Sequence, residues 1–310
     1  MLLHIRHSTV YRYQPEVDLS HHVAHLTPRS TATQTVRQAS LAIAPEPDWM
    51  QAQTDAYGNL RSLFAIQNRH PVLQIAASSL IETRASMRPA LDPRQTPAWE
   101  DVREHFRYRS GARWDPSAEF CFASPHVRPH PEFSEFSRSV FTPRRPLLDA
   151  GIALMRRIHH ELRYASHSTD IQTPAHEALR QRQGVCQDFA HILLACLRMQ
   201  GLAARYVSGY LLTQPPEGQP RLIGSDASHA WVALYIPARD DTGLAPGGCW
   251  VDLDPTNDRW GEDSPGEDYV QLATGRDFAD VSPLRGVLRG GASHTLEVSV
   301  TVEPVASLKA

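Results

Sequence analysis

Three short stretches in the second half of the 310-residue chain carry side chains that could form a nucleophilic site. The first is Arg182-Gln-Gly-Val-Cys186, which leads into a helical apolar pattern over Cys186–Gln200. A glycine two residues before the cysteine permits a tight turn, so we expect Cys186 in the first turn of that helix. Unpaired N–H groups and the positive end of the helix dipole favour a thiolate there. The pattern therefore predicts a cysteine nucleophile.

The second and third stretches supply the groups that a cysteine nucleophile requires. His229 opens a predicted strand over His229–Ile236, and histidine is the usual base for a thiol. A further predicted strand, Trp250–Leu253, is followed by a proline and places Asp252 and Asp254 on one face. A carboxylate there could hold the far nitrogen of the histidine and fix its tautomer. Periodicity alone does not choose between the two aspartates.

Together these stretches resemble the transglutaminase-like superfamily, which has a papain-like core, and most specifically its bacterial two-domain members. GVCQDFAHILLACLRMQGLAARYVSGYL is similar to their cysteine helix and following strand, SHAWVALYIP to their histidine strand, and WVDLDPTND to their aspartate strand. Residues 275–287 are also similar to that group. Near the N-terminus, Tyr11-Arg-Tyr, Leu26-Thr-Pro-Arg29 and Asp55-Ala-Tyr-Gly-Asn59 are similar to its β-rich leading domain.

The resemblance implies a role for each member of the site. It assigns the nucleophile to the cysteine after Gly-Val, which is Cys186, and the base to the histidine before Ala-Trp, which is His229. It assigns the third member to the aspartate before Pro-Thr-Asn, and so selects Asp254 over Asp252. The resemblance also implies an enzyme, and we expect neither a cofactor nor a catalytic metal.

The chemistry of such a triad is acyl transfer through a thioester on Cys186. The backbone N–H of Cys186 is a natural oxyanion donor, and Gln183 and Tyr164 are candidates for a second one. Attack by water would make the protein a cysteine protease or amidase, and attack by an amine would make it a protein-glutamine acyltransferase. We expect hydrolysis, because water at ~55 M needs no dedicated second binding site. A non-catalytic peptide-binding module remains a second alternative.

The expected partner is therefore a peptide, a protein or a small amide, and the sequence leaves the oligomeric state open. A net charge of -3 and a pI near 6.6 argue against a nucleic-acid binder. No apolar run approaches the ~18 residues of a membrane span. The leading residues MLLHIRHSTVYRYQ carry charge where a signal peptide is apolar, so we expect a cytoplasmic protein with free thiols.

Histidine and lysine counts add two minor expectations. His21, His22 and His25 lie at spacings that metal ligands use, but no cysteine or acidic ligand stands beside them, so we predict no metal site. Lys309 is the only lysine in the chain, which means that the protein offers almost no primary amine to its own thioester.

The predicted fold class is α+β, with a β-rich domain followed by a core in which the nucleophile helix packs on an antiparallel sheet. We predict a transglutaminase-like N-terminal domain over 1–90, a proline-rich linker or cover over 91–145, a catalytic core over 146–285, and a strand within 286–310 as a candidate partner for the N-terminal sheet. Predicted helices are Trp99–Arg109, Leu147–Tyr164, Pro174–Gln183 and Cys186–Gln200. Predicted strands are Leu3–Tyr13, Thr35–Ala44, Leu60–Gln67, Val72–Glu82, Ala204–Leu212, His229–Ile236, Trp250–Leu253 and Thr295–Glu303.

Overall fold

The first of two antiparallel sheets is built around one long strand. The computed structural model describes residues 1–88, 90–111, 113–166, 169, 173–213, 227–291 and 293–305. The strands of the first sheet are β1 (Leu2–Thr27), β2 (Gln34–Ala44), β3 (Trp49–Thr54), β4 (Leu60–Ile66), β5 (His70–Thr83), β13 (Leu284–Gly290) and β14 (Ser293–Pro304). The first half of β1 pairs with β5 and β14, and its second half pairs with β4 and β13. Strands from both ends of the chain therefore share one sheet.

The second sheet carries the predicted site. Its strands are β8 (Ala204–Leu211), β9 (Ser228–Asp240), β10 (Gly243–Asp254), β11 (Arg259–Glu262) and β12 (Tyr269–Gly275), in the order β11-β10-β9-β8-β12. The sequence predicted β8 to within one residue, most of β9 and the C-terminal end of β10, but not β11 or β12. All neighbouring pairs are antiparallel, which agrees with the predicted α+β class.

Helices cover one face of this second sheet. They are α1 (Trp99–Phe106), α2 (Pro131–Ser137), α3 (Leu147–Glu161), α4 (Ala175–Gln181), α5 (Cys186–Met199) and α6 (Phe278–Val281), with 3-10 turns at Pro93–Gln95 and Pro116–Cys121. A two-stranded parallel pair, β6 (Arg163–Tyr164) and β7 (Gln183–Gly184), precedes α5. None of the helices in the described ranges has the length and apolar character needed to cross a membrane.

Helix α5 lies at the centre of the main core. All ten residues from Phe189 to Arg198 are buried, and eight of them belong to the main hydrophobic core, so the helix is buried over most of its length. The helix ends at Met199, and Gly201 just beyond it takes a positive φ of 74°, which glycine adopts without strain. Helix α4 starts at Ala175 rather than at the predicted Pro174, which takes the N-cap position instead.

Residues 91–145 contribute side chains to the same core. Trp99 and Val102 of α1 and Phe133 and Phe136 of α2 are buried against α3 and α5. This proline-rich segment therefore supplies apolar surface that the core helices need, in addition to covering them.

The two sheets meet through a second buried cluster. Leu3, Ile5 and Ile81 of the first sheet pack against Val270 and Leu272 of β12. Apolar burial on this scale stabilises the contact by about 25 cal/mol for each Å² removed from water. Strand β12 is thus hydrogen-bonded into the second sheet, while its apolar side chains pack against the first sheet.

Gly209 on β8 provides a test of how tightly the second sheet is packed. A Cβ at this position would lie 2.2 Å from the Val270 carbonyl oxygen and 2.6 Å from the Trp231 ring. We expect Gly209→Ala to lower the free energy of unfolding by about 1–3 kcal/mol, because the added methyl group has no space. Urea unfolding would measure the change. Ala42→Val, at an exposed strand position, should shift the same midpoint very little, and equal effects of the two substitutions would contradict this account.

Candidate active site

The N-terminus of α5 positions the predicted nucleophile. Cys186 is the first residue of the helix and is half-buried. Asp188 closes the turn before it: its Oδ2 atom accepts hydrogen bonds from Val185 N at 2.8 Å and Thr169 Oγ1 at 2.6 Å. A Cβ at Gly184 would lie 2.7 Å from this carboxylate, so glycine is required here. Cys186 is therefore held at the N-terminal end of the helix, which carries the positive end of the helix dipole.

His229 and Asp254 form the most direct contact of the site. They lie near the ends of the neighbouring strands β9 and β10. The His229 Nε2 atom is 2.7 Å from Asp254 Oδ2, and both side chains are buried, Asp254 completely. A hydrogen bond of this length between ionisable groups in a buried setting is strong and directional. It fixes the orientation of the imidazole ring.

The third member, Cys186, lies near the imidazole. It is among the groups that raise the pKa of His229, after the larger effect of Asp254. Because Asp254 occupies Nε2, the remaining ring nitrogen for the sulfur is Nδ1. The structure thus brings together all three residues that the sequence predicted for the site, in the order sulfur, imidazole, carboxylate.

The charges of the buried pair reinforce each other. Burial alone would lower the pKa of His229, but the charge and hydrogen bond of Asp254 outweigh it, and the contact with Cys186 adds to them, so the pKa is raised above its usual value. Burial alone would raise the pKa of Asp254, but His229 and further hydrogen-bond donors hold it below its usual range. The pair is therefore an imidazolium and a carboxylate at neutral pH.

Asp254 is held by more donors than the sequence indicated. Its Oδ1 atom accepts from the backbone N–H groups of Thr256 at 2.8 Å and Asn257 at 3.3 Å. Its Oδ2 atom accepts from Asn257 Nδ2 and from the Tyr269 hydroxyl, each at 2.7 Å, in addition to His229. The Asp-Pro-Thr-Asn turn explains the first two donors, since aspartate commonly bonds to backbone N–H groups two and three residues ahead.

Asn257 and Tyr269 are the site residues that sequence reasoning did not single out. Asn257 stood inside the quoted WVDLDPTND stretch without a role, and Tyr269 opens β12, which the sequence did not predict. The alternation of Val270 and Leu272 was the available signal for that strand, but only two apolar residues carry it.

Asp252, the alternative to Asp254, has a different partner. Its Oδ2 atom accepts a hydrogen bond from Trp231 Nε1 at 2.9 Å. Burial raises the pKa of Asp252 to about 7, with the Trp231 bond and the Arg205 charge opposing it. The Trp231 ring in turn stacks on His229 at 6.0 Å between centroids. Asp252 therefore supports the layer behind the imidazole and does not bind the imidazole itself.

The two candidate oxyanion donors lie on the short strands before α5. Tyr164 on β6 pairs with Gly184 on β7, is partly exposed, and places its ring edge against Phe189 at 6.4 Å. The Gln183 side-chain oxygen accepts from Arg163 Nη2 at 2.8 Å. Both residues are therefore near the helix start, and the donor role of each stays a prediction.

The histidines near the N-terminus lie on β1, far along the chain from the triad. His22 is buried and stacks on Phe64 at 4.9 Å, and His25 Nε2 lies 3.6 Å from Asp55 Oδ2. Among the residues that the structure describes, no three His, Cys, Asp or Glu side chains come together as metal ligands.

Comparison with known proteins places this geometry in a family. Residues 3–82 match the bacterial transglutaminase-like N-terminal region, and residues 134–255 match the transglutaminase-like superfamily. An uncharacterized protein of Mycobacterium tuberculosis is 37% identical over 308 residues, which cover 97% of this chain and 92% of that protein. An uncharacterized protein of Mycobacterium leprae is 29% identical over 98% of this chain and 99% of its own length.

The fold recurs in a solved structure. The crystal structure described as "a Putative Cysteine Protease from Cytophaga hutchinsonii" superposes with a TM-score of 0.71 at 22% identity, and the match covers 99% of this chain and 92% of that one. The resemblance inferred from the sequence is confirmed: this chain belongs to the transglutaminase-like superfamily and carries the N-terminal region of its bacterial members.

Proposed function

We propose that this protein is a cysteine enzyme that cleaves a peptide or carboxamide bond through a thioester on Cys186. The observation that carries the proposal is the 2.7 Å contact between the His229 ring and the buried Asp254 carboxylate, with Cys186 at the start of α5 among the groups that act on that ring. A nucleophile, a base within hydrogen-bond reach and a group that orients the base are the parts that covalent acyl transfer needs.

The first half of the proposed reaction forms the thioester. The Cys186 thiolate attacks the carbonyl carbon, a C–S bond forms, and the carbonyl oxygen takes the negative charge beside the N–H groups of the first turn of α5. The oxyanion then collapses and the C–N bond breaks. The imidazolium of His229 donates its proton to the leaving nitrogen, which departs as an amine or ammonia.

The second half releases the acid. Neutral His229 takes a proton from water, whose oxygen attacks the thioester carbon and forms a second tetrahedral intermediate. Its collapse breaks the C–S bond and leaves the Cys186 thiolate, with the proton retained on His229. An amine in place of water would give a new amide bond, and this acyltransferase outcome is the alternative that the triad equally allows.

Isotope labelling of the products tests the reaction. Wild-type protein and Cys186→Ala would be incubated with a glutaminyl peptide library in ¹⁸O water, with and without dansylcadaverine. We expect ¹⁸O in the new carboxyl group and no product from Cys186→Ala, whereas Cys249→Ala, which removes another half-buried cysteine, should retain activity. Dansylated products that replace the ¹⁸O-labelled ones would establish acyl transfer instead. Self-crosslinking would not obscure this result, because Lys309 is the only lysine.

Alkylation at low pH tests whether Cys186 is activated at all. Cysteines at helix N-termini and beside a histidine are commonly activated, so we expect iodoacetamide to label Cys186 at pH 6. Burial raises the pKa of Cys121 to about 12 and, with Glu262 nearby, that of Cys249 to about 11, so both should react far more slowly. Peptide mass spectrometry would give all the rates in one sample. If Cys186 labels only near pH 8.5, as an unperturbed thiol does, the peptide-binding alternative would be favoured over an enzyme.

Substitution of the two strand aspartates separates their roles. In Asp254→Asn the charge that raises the pKa of His229 is lost, so burial dominates and the imidazolium loses its proton at a lower pH than in wild type. We expect Cys186 alkylation at pH 7 to fall by about a hundred-fold or more. Asp252→Asn keeps an acceptor for Trp231 Nε1 and should change the rate very little. Equal losses in the two variants would refute the assignment of Asp254.

A further inference from the structure

Two amide side chains of the N-terminal region, one at the start of β2 and one in the turn before β4, hydrogen-bond to the outer edge of strand β12. We propose that Gln34 and Asn59, which we call the amide clamp, position Tyr269 on that strand and through it the Asp254 carboxylate. The N-terminal region would then contribute to the active site without touching the substrate. This inference rests on the proposed function, because it concerns the same triad.

Each side-chain amide of the clamp makes the two hydrogen bonds that the backbone of a neighbouring strand would make. Gln34 Nε2 donates to the Gln271 carbonyl at 2.8 Å, and Gln271 N donates back to Gln34 Oε1 at 2.9 Å. Asn59 Nδ2 donates to the Thr274 carbonyl at 2.7 Å, and Thr274 N donates back to Asn59 Oδ1 at 2.8 Å. Both side chains are buried, Asn59 completely. An edge strand inside a protein must satisfy these backbone groups, and the clamp does so.

The spacing of the two contacts follows from an irregularity in β12. In a regular strand, backbone groups that face the same side recur every second residue, but Gln271 and Thr274 are three apart. The register of β12 against β8 shifts between Gln271 and Ala273, which adds the extra residue. The clamp therefore recognises one particular register of β12, and a slip of this strand would break both contacts.

The clamp is itself held rigidly by the N-terminal region. Gln34 Nε2 also donates to the Arg29 carbonyl at 2.7 Å. Asn59 Nδ2 also donates to Asp55 Oδ2 at 2.8 Å, and the Asn59 and Tyr57 backbone N–H groups donate to Asp55 Oδ1. These anchors lie in the Leu26–Arg29 and Asp55–Asn59 stretches that the sequence resemblance singled out. These two stretches therefore hold the clamp side chains in place where the N-terminal region meets β12.

Tyr269 transmits the position of β12 to the triad. It lies two residues before Gln271, and its hydroxyl donates to Asp254 Oδ2 at 2.7 Å. Its ring meets the Trp231 ring edge-on at 5.4 Å, and the Arg259 guanidinium lies over the Tyr269 ring, 4.8 Å from its centroid. Arg259 is paired with Asp268 at 2.8 Å, so the phenol has little freedom apart from movement of the strand. Movement of β12 would therefore move a donor away from the carboxylate.

A double-mutant cycle tests this coupling. The variants are Gln34→Ala, Asn59→Ala, Tyr269→Phe and each clamp variant combined with Tyr269→Phe. Gln34→Glu, which keeps the shape but loses the donor, is a second variant in case an alanine variant fails to fold. Gln51→Ala and Asn68→Ala are matched controls, because they remove exposed amides of the same region, one on β3 and one in the turn between β4 and β5. The first measurement is the iodoacetamide alkylation rate of Cys186 at pH 7.

We expect each clamp variant and Tyr269→Phe to slow alkylation by about ten-fold, because a loosened carboxylate orients His229 less well. Clamp substitutions should add nothing further once Tyr269 is Phe, since they act through its hydroxyl. If the reductions in alkylation rate multiply in the double variants, the proposal is wrong. It is also wrong if the clamp variants unfold at a lower temperature but keep the wild-type alkylation rate while folded.

The low-field ¹H NMR resonance of the proton between His229 and Asp254 is the second measurement. It should shift or broaden in the clamp variants and in Tyr269→Phe, and stay unchanged in Gln51→Ala and Asn68→Ala. An unaltered resonance in the clamp variants would overturn the proposal. This measurement does not depend on the reactivity of Cys186, so a failure of the proposed enzyme activity would be distinguished from a failure of the clamp.

Discussion

The need to keep one fully buried carboxylate charged governs the arrangement of the site. Asp254 has no exposed surface, and the effective cost of burying an ion is several kcal/mol unless it is paired and hydrogen-bonded. Its partners come from three places: the turn that follows β10, the His229 ring on β9 and the Tyr269 hydroxyl on β12. A buried network of this kind is stable only when every member is satisfied.

The strand order explains why this network extends across the sheet. Strands β9 and β10 are neighbours, so His229 reaches Asp254 directly, whereas Tyr269 must span β8 and β9. Gly209 on β8 leaves room for the Trp231 ring, against which Tyr269 packs. The Trp231 ring is itself fixed by Asp252. A layer of aromatic rings on the face opposite α5 therefore links the edge strand to the His229–Asp254 pair, and the N-terminal region contacts that edge strand.

The sequence predicted those parts of the site whose signals are local. A glycine turn before an apolar helix located Cys186, and alternation located the His229 strand. Alternation could not separate Asp252 from Asp254, because residues two apart on a strand share a face. The family resemblance chose Asp254, and the structure shows the physical difference: Asp252 faces Trp231 and Asp254 faces His229.

Features that depend on contacts between distant strands were not predictable in this way. Tyr269 reaches Asp254 only when β12 lies beside β8. The pattern Tyr-Val-Gln-Leu is too short to predict either a strand or the register in which it pairs. The amide clamp joins residues more than two hundred positions apart along the chain. No periodicity within either segment reports such a pairing, although the family resemblance pointed to the segments that contain it.

The two buried aspartates of β10 act in opposite directions on stability as pH changes. The pKa of Asp254 is lowered in the folded protein. Its contribution to the stability of the fold is therefore fully present above the ordinary aspartate pKa and is lost as pH falls through the lowered pKa. The pKa of His229 is raised, so its contribution is present below the ordinary histidine value and is lost only as pH rises through the raised one.

Asp252 has the opposite effect on stability. Its pKa is raised to about 7 in the folded protein, so the fold loses stability as pH rises from the ordinary aspartate pKa toward 7. The ion pair that orients the imidazole therefore also stabilises the fold over the neutral range, where it offsets the cost of burying Asp252. Because the same pair serves both purposes, a substitution that removes the Asp254 charge is expected to weaken the fold and the orientation of His229 together, whereas neutralising Asp252 relieves a cost.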